Sequence, residues 1–348
     1  MWAFNSQHMV QGKEASVVEF VVHRIGSGGE ESVFNDYSAV LNGEEEQAFL
    51  RRFFLKPFST MGSTDEFSPT EDGSTNPVEA ACKRIEDGEE LVTCSLDIAH
   101  HLEAVCREHE KRGGDLFVVK FTDVEVAGDV YEAVGIYKYE DKEVFLESKL
   151  KNTQLALRLG RGLGSRKPDM ACLVVFTGDA PTLFILDDAS SAEHWRKGFL
   201  NERPKRDHVN TTRNMLEMTK SFITQELPHD YEIPKADQID LLNRSVQYFK
   251  ENTEFDRTSF AREVFESDEV VDRFQKFGER YGEERALDLD DRFTISADAV
   301  KKQARVFKSV LKLDKNFHIY IHGDRNKIER GVDEAGRKFY KIYYEQEL

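Results

Sequence analysis

Five cations stand in the twelve residues from Lys301 to Lys312 of a chain whose formal net charge is −17. Wound as a helix at about 100° per residue, Lys301, Arg305, Lys308 and Lys312 follow i, i+4, i+7, i+11 spacing and share one stripe, with Val300, Ala304, Phe307 and Leu311 on the adjoining one. Such a helix docks by its apolar side and offers its cationic side to a polyanion. Lys302 stands next to the stripe, and Arg325 and Lys327 extend the surface. The chemistry this implies is neutralisation of successive phosphates rather than the making or breaking of a bond.

A second basic stretch, SKLKNTQLALRLGRGLGSRKP from Ser148 to Pro168, holds Lys149, Lys151, Arg158, Arg161, Arg166 and Lys167 and no acid. Glycines at 160, 162 and 164 would let backbone amides approach a phosphate. A nucleotide loop needs a helix start after its glycines, however, and here the apolar strand MACLVVF follows. The stretch reads as a loop, either a basic flexible one touching a nucleic-acid backbone or a merely solvated hairpin loop. A third cluster, Arg196, Lys197, Arg203, Lys205 and Arg206, surrounds Trp195 and Phe199. Arginine beside an aromatic suits phosphate contact or base stacking, and a tryptophan there suits a core equally.

Catalytic patterns are thin. Glu147 and Lys149 at a strand end, with Asp129 one hairpin earlier, resemble the acid plus E-x-K arrangement of metal-dependent nucleases, in which carboxylates hold the ion and lysine steadies the attacking water. His100, His101, Cys106 and His109 lack the i, i+4 spacing of a helical zinc pair. No G-x-S-x-G, Cys/His arrangement or kinase motif set is present. The expectation is a protein without catalytic residues, metal or cofactor.

The elements that must position these residues divide the chain into three. An α+β domain over 1–188 begins with a valine-rich strand at Ser16–Ile25. A helix over Glu44–Phe58, ended by Pro57, and helices around Val78–Glu86 and Ser95–Lys111 follow. Strands near 115–121, 130–139, 144–147, 170–177 and 182–186 give a mostly antiparallel sheet with flanking helices, and the polar run at 59–76 reads as a mobile loop. A helical region covers 189–290. A basic module over 291–348 starts with the helix above, capped by Ser296, and ends in a hairpin of Phe317–Ile321 with Lys338–Tyr344.

Charge is divided as unevenly as structure. Residues 301–348 hold twelve Lys/Arg against seven Asp/Glu, a net of +5, which leaves −22 for residues 1–300. An acidic body repels a polyanion everywhere except at a basic patch, so it orients binding as well as limiting it. The four cysteines have no C-x-x-C spacing and read as reduced core thiols. With no apolar run of membrane length and no signal-peptide pattern at the start, a cytoplasmic protein is expected.

The runs PKADQIDLLNRSVQYFKENTEFD, SADAVKKQARVFKSVLKLDKNFHIYIHG and GRKFYKIYYEQEL, with GGDLFVVKF and VVEFVVHRIG, resemble the bacterial nucleoid-associated protein family typified by NdpA, also called YejK. The resemblance covers most of the chain. It implies a protein of the bacterial cytoplasm that associates with the nucleoid and binds double-stranded DNA without being an enzyme. It transfers no site residues, so the DNA contacts rest on charge and spacing. A symmetric homodimer would double the footprint. The rival readings are an acidic adaptor for a DNA-processing protein and a nuclease using Glu147 and Lys149.

Overall fold

The computed structural model describes residues 10–346 apart from 60, 62, 70–72, 165, 179, 188–192, 232, 286, 288, 305–309, 315 and 321–326. It has a mixed α+β fold in two compact units, residues 1–205 and 206–348.

The first unit is built on an antiparallel sheet. Its strands are β1 (Val10–Gln11), β2 (Ser16–Ile25), β3 (Asp65–Phe67), β4 (Gly114–Val126), β5 (Asp129–Tyr139), β8 (Met170–Val175), β9 (Thr182–Leu186) and β10 (Glu202–Pro204). They run in the order β1-β4-β5-β8-β9-β3-β10, with β2 also paired to β4. β6 (Glu143–Lys151) and β7 (Gln154–Gly162) form a separate two-stranded ribbon between β5 and β8. Side chains alternate across a strand, so β4 and β5 sort their residues onto two covered faces. Leu116, Val118, Val134 and Ile136 join the core under α2 (Pro77–Glu86) and α3 (Leu91–Glu108). Phe117, Phe121, Tyr137 and Tyr139, of opposite parity, meet the phenylalanines of α1 (Glu44–Phe54). A sheet covered on both sides has apolar runs rather than strict alternation, which is why MACLVV is buried throughout.

Two parts of this unit differ from the expectation. The 59–76 stretch supplies β3, with Asp65 and Phe67 buried and β3 paired to β9 and β10. The unit also continues past 188, to Lys205: Glu193–Leu200 is a π-helical segment whose Trp195 and Phe199 enter the core, and β10 follows it. The third basic cluster is consumed in this architecture. Arg196 reaches Asp187 at 2.9 Å, Asp65 at 3.4 Å and Glu202 at 3.4 Å. Lys197 lies 3.5 Å from Glu202 and Arg203 2.8 Å from Glu66.

The second unit packs α4 (His208–Ser221), α5 (Leu227–Asp230), α6 (Lys235–Glu251), α7 (Arg257–Phe265), α8 (Asp268–Arg285) and α9 (Ala297–Ala304), with a small ladder of β11 (Glu254–Asp256) and β12 (Arg292–Thr294). Phe222, Phe249, Phe255, Phe260 and Phe274 centre the core. Asp207 and Asp256 cap α4 and α7 by accepting the Asn210 and Ser259 N–H groups, both at 2.9 Å. Two ribbons end the chain: β13 (Val310–Leu313) with β14 (Phe317–Tyr320), and β15 (Ile328–Val332) with β16 (Lys338–Ile342). The expected hairpin of 317–321 with 338–344 is therefore replaced by two local hairpins. The segment read as their connection supplies β15, because short loops close at a lower entropic cost than long ones.

Candidate nucleic-acid interface

In the C-terminal module, Ser296 caps α9 as expected, its Oγ accepting the Ala299 N–H at 3.3 Å. Val300 is buried in the helical core, Lys301 is exposed on the other side and Lys302 is half-buried. Among the described residues α9 reaches Ala304. Leu311 and Lys312 lie on β13, so Lys301, Arg305, Lys308 and Lys312 do not form one helical stripe. The reason is competition between two periods in one segment. Val310–Leu313 pairs residue for residue with Phe317–Tyr320 across a loop whose Asp314 takes a φ of +50°, and Leu311 and Leu313 gain a core on that side. Lys327 is ion-paired to Glu345 at 2.7 Å. Arg305, Lys308 and Arg325 lie outside the described residues.

The second basic stretch is not a loop but most of the β6–β7 ribbon. Its glycines have a packing role: a Cβ at Gly160 would come within 2.6 Å of the Phe145 ring on the neighbouring strand. Arg158 and Arg161 project into solvent from β7, and Lys167 is exposed just beyond it. Arg166 is drawn inward, to Asp169 at 2.5 Å and Asp141 at 3.8 Å, where the ribbon leaves the sheet. On the same ribbon Lys149 is held by Glu147 at 2.9 Å, while Asp129 opens β5 in the large sheet. Among the described residues no group of three or more His, Cys, Asp or Glu side chains is placed to hold a metal ion. His101 meets the Phe199 carbonyl at 3.0 Å and the His100 ring lies tilted against Phe34, 4.3 Å between ring centres.

A further basic site comes from the fold rather than from any one stretch. α1 starts with Glu44, Glu45 and Glu46 and ends with Arg51 and Arg52, the arrangement its dipole favours; Glu46 Oε2 accepts the Gly43 N–H at 3.0 Å. The helix is fastened by Gln47, which donates to the Val17 carbonyl at 2.9 Å and accepts the Val17 N–H at 3.0 Å, and by Phe53 stacked on Tyr139. Its outer side then shows Arg52. The segment before β2 can lie against it because Gly12 has no Cβ; one would sit 2.5 Å from Leu55 Cδ1. A cavity of about 430 Å³ results, lined by Lys13, Arg51, Arg52 and Lys56 with no carboxylate among its described walls. Arg51 donates to the Ala15 carbonyl at 3.3 Å. Among the described residues Lys13, Arg52 and Lys56 make no ion pair. The sequence signal was Arg51-Arg52 and Lys56 at helical spacing, but Lys13 joins them only through the fold.

A family model, NA37, described as nucleoid-associated protein YejK, matches residues 21–340 of the chain. The chain belongs to this family. The match covers most of both units of the nucleoid-associated protein and includes the ribbon, α9, the β13–β14 hairpin and β15, ending inside β16. No curated protein matches the chain. Among the described residues of this family member, no helix is long and apolar enough to cross a membrane.

Proposed function

We propose that this nucleoid-associated protein binds duplex DNA largely without regard to sequence, through its phosphates, carries out no chemistry on it, and works at the nucleoid in the cytoplasm. The observation that carries the reading is the basic cavity at α1. In a protein of net charge −17, where most described arginines have carboxylate partners, Lys13, Arg52 and Lys56 line one cavity and have none among the described residues. Cations not already paired are the groups able to replace condensed counterions on DNA. The acidic remainder repels the duplex, so binding is confined and oriented. Lys151, Arg158, Arg161 and Lys167 on and beside the ribbon of the first unit, and Lys301 on α9 of the second, are further exposed cations of the same reading. Lys302, Arg305, Lys308, Lys312 and Arg325 belong to the same reading by their charge. Arg166 and Lys327 drop out of it, because carboxylates already hold them.

The test is a titration of purified protein with labelled duplex DNA at increasing salt, with and without magnesium. The expected result is binding of unrelated sequences with similar affinity, a steep fall in affinity with salt, and intact DNA at the end. Absence of binding at low salt would favour the acidic adaptor. Magnesium-dependent cleavage that disappears in Glu147→Ala would favour a nuclease.

A further inference from the structure

The β6–β7 ribbon has two faces of opposite character. Register places Val144, Leu146, Ser148 and Leu150 of β6 on one face with Arg161, Leu159, Leu157 and Leu155 of β7. The reverse face carries Phe145, Glu147, Lys149 and Lys151 opposite Gly160, Arg158, Ala156 and Gln154. The reverse face is satisfied: Phe145 lies over the glycines and Glu147 meets Lys149. The first face is not. Its six aliphatic side chains are between 59 and 74% exposed, and β6 and β7 pair with no other strand among the described residues. A two-stranded hairpin with an uncovered apolar face is marginal alone, and stable sheets bury that face against a second layer.

We propose that a second copy of this chain supplies that layer, the two ribbons lying face to face about a two-fold axis. A two-fold contact brings a surface onto itself, so it requires a patch without like charges at its centre. This face qualifies: its middle is Leu146, Ser148, Leu157 and Leu159, its one charge is Arg161 near the base, and the remaining charges point off the reverse side. Area agrees as well. At the roughly 60–120 Å² that burial of one aliphatic side chain represents, six supply on the order of 400–700 Å² per copy, near the ~800 Å² per partner of a standard interface. Two stacked ribbons would form a small sandwich with layers ~10 Å apart, leaving Lys149, Lys151 and Arg158 outward on both sides.

The base of the arm is built to hold it out from the sheet. Lys138, fully buried at the end of β5, donates to the Arg112 carbonyl at 2.6 Å and to Glu140 at 3.0 Å. Arg112 clamps Asp141 at 2.7 Å, and the Glu140 N–H donates to Asp169 at 2.8 Å, tying the strand entering the arm to the one leaving it. Pairing through this face does not require DNA, and of the cations proposed to meet DNA only Arg161 lies on it.

Sedimentation equilibrium of the full chain should give twice the 40.1 kDa chain mass. The pair Leu146→Asp and Leu157→Asp should weaken self-association roughly 100-fold or more, with an unchanged circular dichroism spectrum, since neither leucine belongs to a described core. As a check that does not depend on the folding of that variant, Ser148→Cys should give an intermolecular disulfide on mild oxidation, the four natural cysteines all being buried. A monomeric wild type, a dimer unaffected by the aspartates, or no cross-link through residue 148 would each overturn the proposal. A wild-type monomer that floats with phospholipid vesicles would assign the face to lipid instead.

Discussion

Two regions of this protein share one local design and end differently. The β13–β14 and β15–β16 hairpins and the β6–β7 arm are all isolated antiparallel ribbons with an apolar side. In the C-terminal module Leu311 and Ile328 turn onto Ile239 of α6, with Leu313, Ile319 and Tyr340 against them, and a small core closes. On the arm Leu150, Leu155, Leu157 and Leu159 are turned to solvent. A hairpin is specified by its own turn and pairing, whereas its stability depends on what covers it. The first region finds its cover within the chain, and the second points to one outside it.

The largest contrast should appear when one aliphatic side chain is removed from each region. Leu311→Ala should destabilise the C-terminal module by about 2–5 kcal/mol, the usual cost of emptying a buried leucine site. Leu159→Ala should change the stability of a monomeric background such as the aspartate variant by less than ~0.5 kcal/mol. Chemical denaturation followed by circular dichroism reads both values. Similar destabilisation at the two sites would mean that the arm is covered by its own chain.

Acidity probes the packed sheet behind the arm, where two buried groups oppose each other. Burial, then the neighbouring Glu202 carboxylate, push Asp65 up to about 6. Burial, then His100, bring His23 down to about 4; its Nδ1 accepts the Asn35 N–H at 3.2 Å, so Nε2 carries the proton toward Ser95 Oγ. A raised carboxyl stabilises the fold below about 4 and loses that contribution as pH rises through 6. A depressed histidine stabilises above about 6.5 and loses its contribution as pH falls through 4. The wild type should therefore melt at similar temperatures between pH 4 and 6.5. Asp65→Asn should make it less stable on acidification and His23→Gln more stable, each on the order of 2 kcal/mol across the window. Identical profiles for the two variants would refute the opposition. Self-association through the aliphatic arm should change little over the same range.

The sequence showed the fold class and most long elements, because period-two valine runs and helices such as Lys235–Glu251 declare themselves locally. It missed β7 and β15, whose glycine and charge content resembles loops, and β3, held by pairing with β9 and β10 far along the chain. The candidate site was less legible for the same reason. Cation counting cannot tell Arg158, exposed, from Arg166, clamped by Asp169, nor Lys301 from Lys327 with its Glu345. Lys13 lines one cavity with Arg52 only because Gly12 lets the backbone pass Leu55.

The most direct test of the central claim compares wild type with the combined change of Lys13, Arg52 and Lys56 to glutamine in the DNA titration against salt. These side chains line a surface cavity and hold no carboxylate among the described residues, so stability should stay within about 0.5 kcal/mol of wild type for each change. Affinity at low salt should fall, and the slope of log affinity against log salt should flatten by up to about 0.9 for each phosphate that the variant no longer neutralises. An unchanged slope in a folded variant would show that the basic cavity at α1 does not touch DNA.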